Sequence, residues 1–391
     1  MNAIFHIEPR GNGVLCERWL PLATSLAAGA LALAACSSGT SSSSGAGSKP
    51  SPGSGSNPSA SVPAAATELV NKWTMAQDTW SGPPSAPKPL KGITIGLLPC
   101  GLALQGCSEQ TDGAKEAAAA LGWRTVVVDG QLDTQKTQQA FDTLINQHVN
   151  AIFVASIASS SISAQIARAK AAGIPVISGF SSDPRPYGGS YRLGIDDELT
   201  GEVDAAYVLQ QGCGGGIIEF TSEENPQILA RSKGFEKFIK ENGGDCKIVK
   251  RESIPFSAIG QQEQQIFTPL LQQNPKTTWI FAGFDAMLRP LIQAAQNVGN
   301  TNLKGLASDG DVPSLDYIRS GTVQVATIGY PLSWTGWGAV DDINRVLQKK
   351  PAVEEGIKFR LLTKSSLPPK GKPYDGDLDY RAKYKSLWGL G

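Results

Sequence analysis

From Gly92 to Thr363 short apolar runs alternate with amphipathic stretches, and this alternation restricts the fold more than any other feature of the chain. "GITIGLLP", "RTVVVDG", "NAIFVAS" and "IPVISGF" read as strands. Between them, "SEQTDGAKEAAAALGW", "DTQKTQQAFDTLINQHV" and "SSISAQIARAKAAG" place apolar residues at helical spacing. Asp133 is placed to cap the second of these helices, and Gly122 and Gly173 close the first and third. A strand that is apolar throughout needs cover on both faces. Such strands between amphipathic helices predict βα units around a parallel sheet.

The pattern breaks at "SSDPRPYGGSYRLGIDDELT" and then restarts. "GGIIEFTS", "CKIVKRESI", "TTWIFAGF", "LKGLASDG", "VQVATIGY" and "GIKFRLLT" read as strands, again separated by helical segments. Two successive sets predict two similar lobes. Ligands of open α/β sheets bind beyond the carboxyl ends of the strands. In a two-lobed chain those ends can face one another across a cleft that a hinge closes.

The N-terminus sets the expected compartment. Arg10 and Arg18 precede an uncharged run from Trp19 to Cys36 that ends in Leu33-Ala34-Ala35-Cys36. A positive region, an apolar region and small residues at the end are the parts of a secretory signal, 1–35. The run is short and weakly hydrophobic for a transmembrane helix, which needs about 20 apolar residues. The Leu-Ala-Ala-Cys end resembles the cleavage box of bacterial lipoproteins. That resemblance implies cleavage before Cys36 and lipid on its sulfur, so that the membrane is reached through the anchor alone. From Ser37 to about Ala66 Ser, Gly and Pro dominate, which predicts a disordered tether over 36–66. Residues 67–90 read as transitional, with "LVNKWTMAQDTW" able to form a short helix.

Composition removes other classes. Lys plus Arg equals Asp plus Glu at 35 each, so no basic surface calls for nucleic acid. Only His6 and His148 are present, and His6 falls in the expected signal. One remaining His builds neither a His-rich metal site nor an obvious triad. No GxSxG elbow, phosphate-binding GxxxxGK[ST] loop or HExxH occurs, and "GCGGG" precedes a strand rather than following one. Neither an enzyme nor a cofactor is expected.

"DGAKEAAAALGW", "AKAAGIPVIS", "GIDDELTGE", "ARSKGF", "AGFDAML" and "LASDGDVPSLDYIRSGTVQVATIGYP" occur in an order and spacing that resemble the type I periplasmic sugar-binding proteins, the ribose-binding class. The resemblance runs from about Lys91 to the C-terminus. It implies an α/β fold of two Rossmann-like lobes joined by three strand crossovers, near Ile195–Asp197, Gly329–Pro331 and Gly356–Lys358. The N-terminal lobe would comprise 91–195 plus 331–356, and the C-terminal lobe 196–328 plus 357–391. The family's ligand-binding Arg maps to Arg231, three residues before the Gly of "GF". Its sugar-hydroxyl acceptor maps to Asp309 and a polar contact to Ser156. An Arg fork and a carboxylate together donate and accept in fixed directions, as polyol recognition needs.

Departures from the family pattern are equally clear. Its Asp-Arg pair after the fourth strand is Phe180-Ser181, and an Asn position is Phe284, beside Asp285. The polar hinge residue becomes Tyr330 or Pro331, and the first loop, "PCGLALQGCSEQ", lacks the paired Phe. With polar contacts replaced by aromatics, the expected ligand is a sugar or related polyol with an apolar part. The alternative is that Phe180 and Phe284 simply pack behind the cleft. Trp334 and Trp337 either face the cleft or simply cover the hinge; Trp334, nearer the strand end, is the one expected to face the ligand.

Of six Cys, Cys16 falls in the expected signal and Cys36 is the lipid site that the lipoprotein resemblance implies. Four remain for an oxidising compartment. Cys213 and Cys246 each precede a strand, and neighbouring parallel strands would bring them into disulfide range. Cys100 and Cys107 would close the first loop. A metal site or reactive thiol is the alternative, without a nearby His or CxxC to support it.

The expected protein is a monomeric, lipid-anchored solute-binding component of an ABC importer, at the cell surface or in the periplasm, working with a membrane permease. A sensory lipoprotein presenting its ligand to a receptor or histidine kinase would have the same body.

Overall fold

Ile95, Leu97 and Leu98 of strand β1 (Thr94–Pro99) are fully buried, because helices cover both faces of the sheet they belong to. The computed structural model describes residues 62–260, 262–299 and 302–390. The expected signal peptide, Cys16, Cys36 and most of the expected tether lie outside these residues.

The first sheet orders β2 (Arg124–Val127), β1, β3 (Ala151–Ala155), β4 (Val176–Gly179) and β5 (Tyr191–Leu193), all parallel. Ile95, Leu97 and Phe153 pack with Ala114 and Ala117 of α2 (Gln105–Ala120). Leu98, Ile152 and Val154 point the other way, against Phe141 and Leu144 of α3 (Thr134–Asn146) and Ile166 of α4 (Ser163–Ala171). That is the period of two expected of a strand between two helical layers. Asp133 caps α3, accepting from the Lys136 N–H at 2.8 Å.

The second sheet orders β11 (Arg360–Thr363), β10 (Gln324–Gly329), β9 (Lys304–Asp309), β8 (Thr277–Ala282), β6 (Gly216–Thr221) and β7 (Lys247–Ser253). Its ladders are parallel except that β11 runs antiparallel to β10. α5 (Asp197–Gln210) lies against α6 (Pro226–Asn242). Gly201 and Gly234 permit that approach: a Cβ on Gly201 would overlap the Arg231 carbonyl, and one on Gly234 the Glu198 carbonyl. α7 (Gln262–Gln273), α8 (Asp285–Asn297) and α9 (Val312–Ser320) complete the layers.

Three expectations are corrected here. Helix α1 (Ala64–Thr74) begins inside the stretch assigned to the tether, and it buries Ala66 and Val70. These residues are four apart, on one helical face, and α1 packs on α5 and β11. Strand β5 lies in the segment that broke the pattern; it has only three residues, too few to show periodicity. The C-terminal helix α11 (Tyr380–Leu387) packs on α10 (Leu332–Leu347), which covers the first sheet, and not on the second lobe.

The connections between the lobes are therefore more numerous than three. The chain passes between them at 194–196, 330–331 and 348–359. Residues 75–90 lead from α1 to β1, and 364–379 from β11 to α11, adding two more. These straps meet in an aromatic stack. Trp334 lies 5.7 Å from Trp80 and 5.0 Å from Tyr380, ring to ring, and Trp337 lies 5.3 Å from Trp388.

Candidate functional site

The carboxyl ends of both sheets converge on one cavity of about 50 Å³. The first lobe supplies Gln105 and Gln110 from the opening turns of α2, Ser156 after β3 and Phe180 after β4. The second supplies Asn225 and Arg231 around the start of α6, Phe256 after β7, Phe284 just before α8 and Asp309 at the end of β9. Three of these lie in the left-handed backbone region: Ser156 at φ 58°, Phe180 at φ 43° and Asp309 at φ 134°. Such strain in non-glycine residues persists only where the surrounding structure enforces it, and it clusters at binding sites.

Arg231 is 4% exposed. One guanidinium nitrogen donates to the Gly283 carbonyl at 2.9 Å, and Nε stands 3.4 Å from Asp197 Oδ1. The Tyr330 ring lies 4.7 Å beneath the guanidinium carbon, so a cation–π contact supports the charge from behind. Across the cavity, Gln110 Nε2 donates to Ser156 Oγ at 2.8 Å. Its Oε1 is buried with no hydrogen-bond partner, an acceptor available to a ligand hydroxyl. Burial pushes the Asp309 carboxyl up to about 7, Arg231 opposing the rise and Asp311 adding to it. Burial likewise pushes Glu109 up to about 8, against the hydrogen bond it accepts from Gln105 at 2.5 Å. Gln105 also joins the lobes, its Oε1 accepting from the Val312 N–H at 3.3 Å.

Of the residues singled out in the sequence, Ser156, Phe180, Arg231, Phe284 and Asp309 line this cavity. Asp285, Tyr330 and Trp334 do not. Asp285 lies beneath the β9–α9 turn, where it accepts from the Gly310 and Asp311 N–H groups, from Gln324 and from Thr327, so all its capacity goes into the scaffold. Tyr330 is fully buried, its hydroxyl 3.3 Å from Thr200 Oγ1, and it supports the site from behind through Arg231 and through Phe180, whose ring centroid lies 5.2 Å from its own. Trp334 faces the interlobe straps, with Nε1 donating to the Tyr384 hydroxyl at 3.1 Å. Gln105, Gln110, Asn225 and Phe256 were missed. Phe256 follows a strand end as Phe180 does, and that position was its signal. The two Gln and the Asn sit on helix starts that periodicity does not single out.

Both expected disulfides are formed. Cys100–Cys107 closes the first loop at the cavity wall, with Cα atoms 5.9 Å apart. Cys213–Cys246 ties the starts of the neighbouring parallel strands β6 and β7, with Cα atoms 5.7 Å apart. Among the described residues no group of three or more His, Cys, Asp or Glu is arranged to hold a metal. No described helix is long and apolar enough to cross a membrane.

Two parallel-sheet lobes with a buried Arg and carboxylate in the cleft between their strand ends define a hinged binding protein of the type I periplasmic fold. Residues 95–351 match the family model described as periplasmic binding protein domain, and the chain belongs to that family. Membership in this ribose-binding-like family of solute-binding proteins places the body outside the cytoplasm. The chain is 24% identical over 281 residues to the ribose import binding protein RbsB of Bacillus subtilis, spanning 70% of this chain and 89% of that one. It is 25% identical over 213 residues to a D-apiose import binding protein of Actinobacillus succinogenes, spanning 54% of this chain and 66% of that one. A solved ABC transporter solute-binding protein from Mycobacterium smegmatis with bound glycerol superposes with a TM-score of 0.65 at 23% identity, covering 72% of this chain and 99% of the other. One from Agrobacterium vitis, bound with α-D-tagatopyranose, gives 0.64 at 18% identity, covering 71% and 96%.

Proposed function

We propose that this protein is the solute-binding lipoprotein of an ABC importer, non-enzymatic, capturing a carbohydrate-like ligand between its lobes and presenting it to a membrane permease. The observation that carries this reading is the placement of Arg231 and Asp309 on one lobe opposite Gln110 and Ser156 on the other, around one cavity. The set offers fixed donors and acceptors suited to vicinal hydroxyls. The relatives are named as ribose and D-apiose import binding proteins, which supports a sugar. Phe180, Phe256 and Phe284 supply the apolar surface that a ring's C–H face requires. Ligand would favour the closed form because only closure brings both lobes' groups onto it.

The test is a thermal-shift screen of the full chain against pentoses, hexoses, polyols, disaccharides and nucleosides. At a hundredfold excess over Kd a ligand adds about 2.7 kcal/mol of stability. The expected result is a shift that Arg231→Ala and Asp309→Ala each abolish. A panel without a shift would reject the carbohydrate reading. The anchor is tested separately: Cys36→Ser should move the protein from the membrane fraction to the soluble one.

A further inference from the structure

The binding cavity does not end at its inner chamber. It opens into a mouth of about 490 Å³ that shares Cys100, Ser156, Asn225 and Phe256 with it. Cys100, Ser156, Asn225 and Phe256 stand on the boundary between the two, so a ligand seated on Arg231 and Asp309 that is larger than one ring extends past them into the mouth.

What it would meet there is specific. Thr134 and Gln135, at the start of α3, and Ser161 come from the first lobe; Glu224 and Ser257 come from the second. These are hydroxyl, amide and carboxylate groups on facing walls. Phe256 lines both chamber and mouth, and its ring stacks on Phe284 with centroids 5.6 Å apart and planes 12° from parallel. The two rings make one continuous apolar face running from the inner site to the outer one. A hydrocarbon tail in the mouth would strip water from the polar walls without replacing its hydrogen bonds, which costs free energy. An anionic tail would meet Glu224 and Asp133. A polyhydroxylated ring satisfies both the polar walls and the aromatic face.

We propose that the mouth is a second sugar subsite, and that the ligand is a disaccharide whose terminal ring enters the chamber while its second ring lies against Phe256. This rests on the carbohydrate-binding reading above. The subsite draws on both lobes, so it is complete only when the cleft is closed.

Isothermal titration of the full chain with glucose, galactose, xylose and arabinose, and with cellobiose, lactose, maltose and xylobiose, tests it. At least one disaccharide should bind ten times more tightly than either of its constituent monosaccharides. Ser257→Trp and Gln135→Trp fill the mouth from opposite lobes at exposed positions. Each should cut disaccharide affinity at least tenfold and leave monosaccharide affinity within twofold. Arg231→Ala should weaken both classes. Monosaccharides binding as tightly as their disaccharides, with both Trp variants silent, would overturn the subsite and leave the carbohydrate reading standing. Binding of neither class would overturn that reading, and the subsite with it.

Discussion

Asp197 Oδ1 lies 3.4 Å from Nε of Arg231, while its Oδ2 accepts from Arg192 at 2.6 Å. Arg192 belongs to β5 in the first lobe, and Asp197 and Arg231 to helices of the second, so this chain of charges spans the 194–196 crossing. Asp197 and Arg231 are both buried, and removing one partner leaves the other charge uncompensated. Asp197→Ala should therefore cost about 3 kcal/mol in chemical denaturation. Ligand affinity should fall by about tenfold, or about 1.4 kcal/mol, because Arg231 loses the carboxylate that positions it. Arg192 is more exposed, and Arg192→Ala should cost about 1 kcal/mol or less. Unchanged affinity in the Asp197 variant would show that Gly283 and Tyr330 alone hold the guanidinium in place.

The raised carboxyls predict how the empty cleft responds to pH. Asp309 is pushed up to about 7 and Glu109 up to about 8, both first by burial, with Asp311 nearby and Arg231 and Arg289 opposing the rise at Asp309. For an acid raised in the folded form, the native state holds its proton where the unfolded chain has released it. Stability is then fully present below the ordinary carboxyl range and declines as pH rises toward 7 to 8. Opening the cleft hydrates both groups and relieves the same penalty. Ligand-free protein should thus have a larger radius of gyration by small-angle X-ray scattering at pH 8.5 than at pH 5.5. The double variant Glu109→Gln, Asp309→Asn should show the same radius at both.

Reduction should affect the two disulfides unequally. Cys213 and Cys246 are 33 positions apart and Cys100 and Cys107 only 7, so the first pair restricts the unfolded chain more. Chain-entropy arguments give about 3–4 kcal/mol for the longer loop and about 2–3 kcal/mol for the shorter. Replacing both Cys of a pair by Ser, followed by urea denaturation, measures each. The Cys100–Cys107 loop forms part of the cavity wall, so its loss should also weaken ligand binding, whereas loss of Cys213–Cys246 should not.

The sequence carried the strand and helix order well because apolar periodicity records burial, and both sheets are buried on two faces. Arg231 and Asp309, which motif and strand end single out together, both line the cavity. What escaped notice has physical reasons. β5 is too short to show a period. The start of α1 looked like tether because its core-facing Ala66 resembles the Ala of a weakly apolar linker, while its later residues fell in a stretch read as able to form a helix. Gln105 and Gln110 are ordinary helix residues until the disulfide loop turns α2 toward the second lobe. Trp334 and Asp285 were misplaced for one reason. Both stand near strand ends, and sequence position does not reveal which way a side chain turns once a helix begins there. In this fold the extra straps, 75–90 and 364–379, bring their own aromatics to that place and draw Trp334 away from the cleft.

That reassignment makes Trp334 a test of stability against binding. Its ring is 1% exposed, lies between Trp80 and Tyr380, and donates to the Tyr384 hydroxyl, which in turn donates to Glu355 Oε2 at 2.6 Å. Trp334→Ala opens a void at the meeting point of two straps and should cost about 3–5 kcal/mol. It does not line the cavity, so Kd for a bound sugar should stay within twofold at temperatures where the variant remains folded. Trp334→Phe keeps the stack but loses the donor, and should cost about 1–2 kcal/mol, with Kd again unchanged. A Trp334→Phe variant with normal melting and lost binding would return this residue to the ligand site and displace the straps as the reason for its burial.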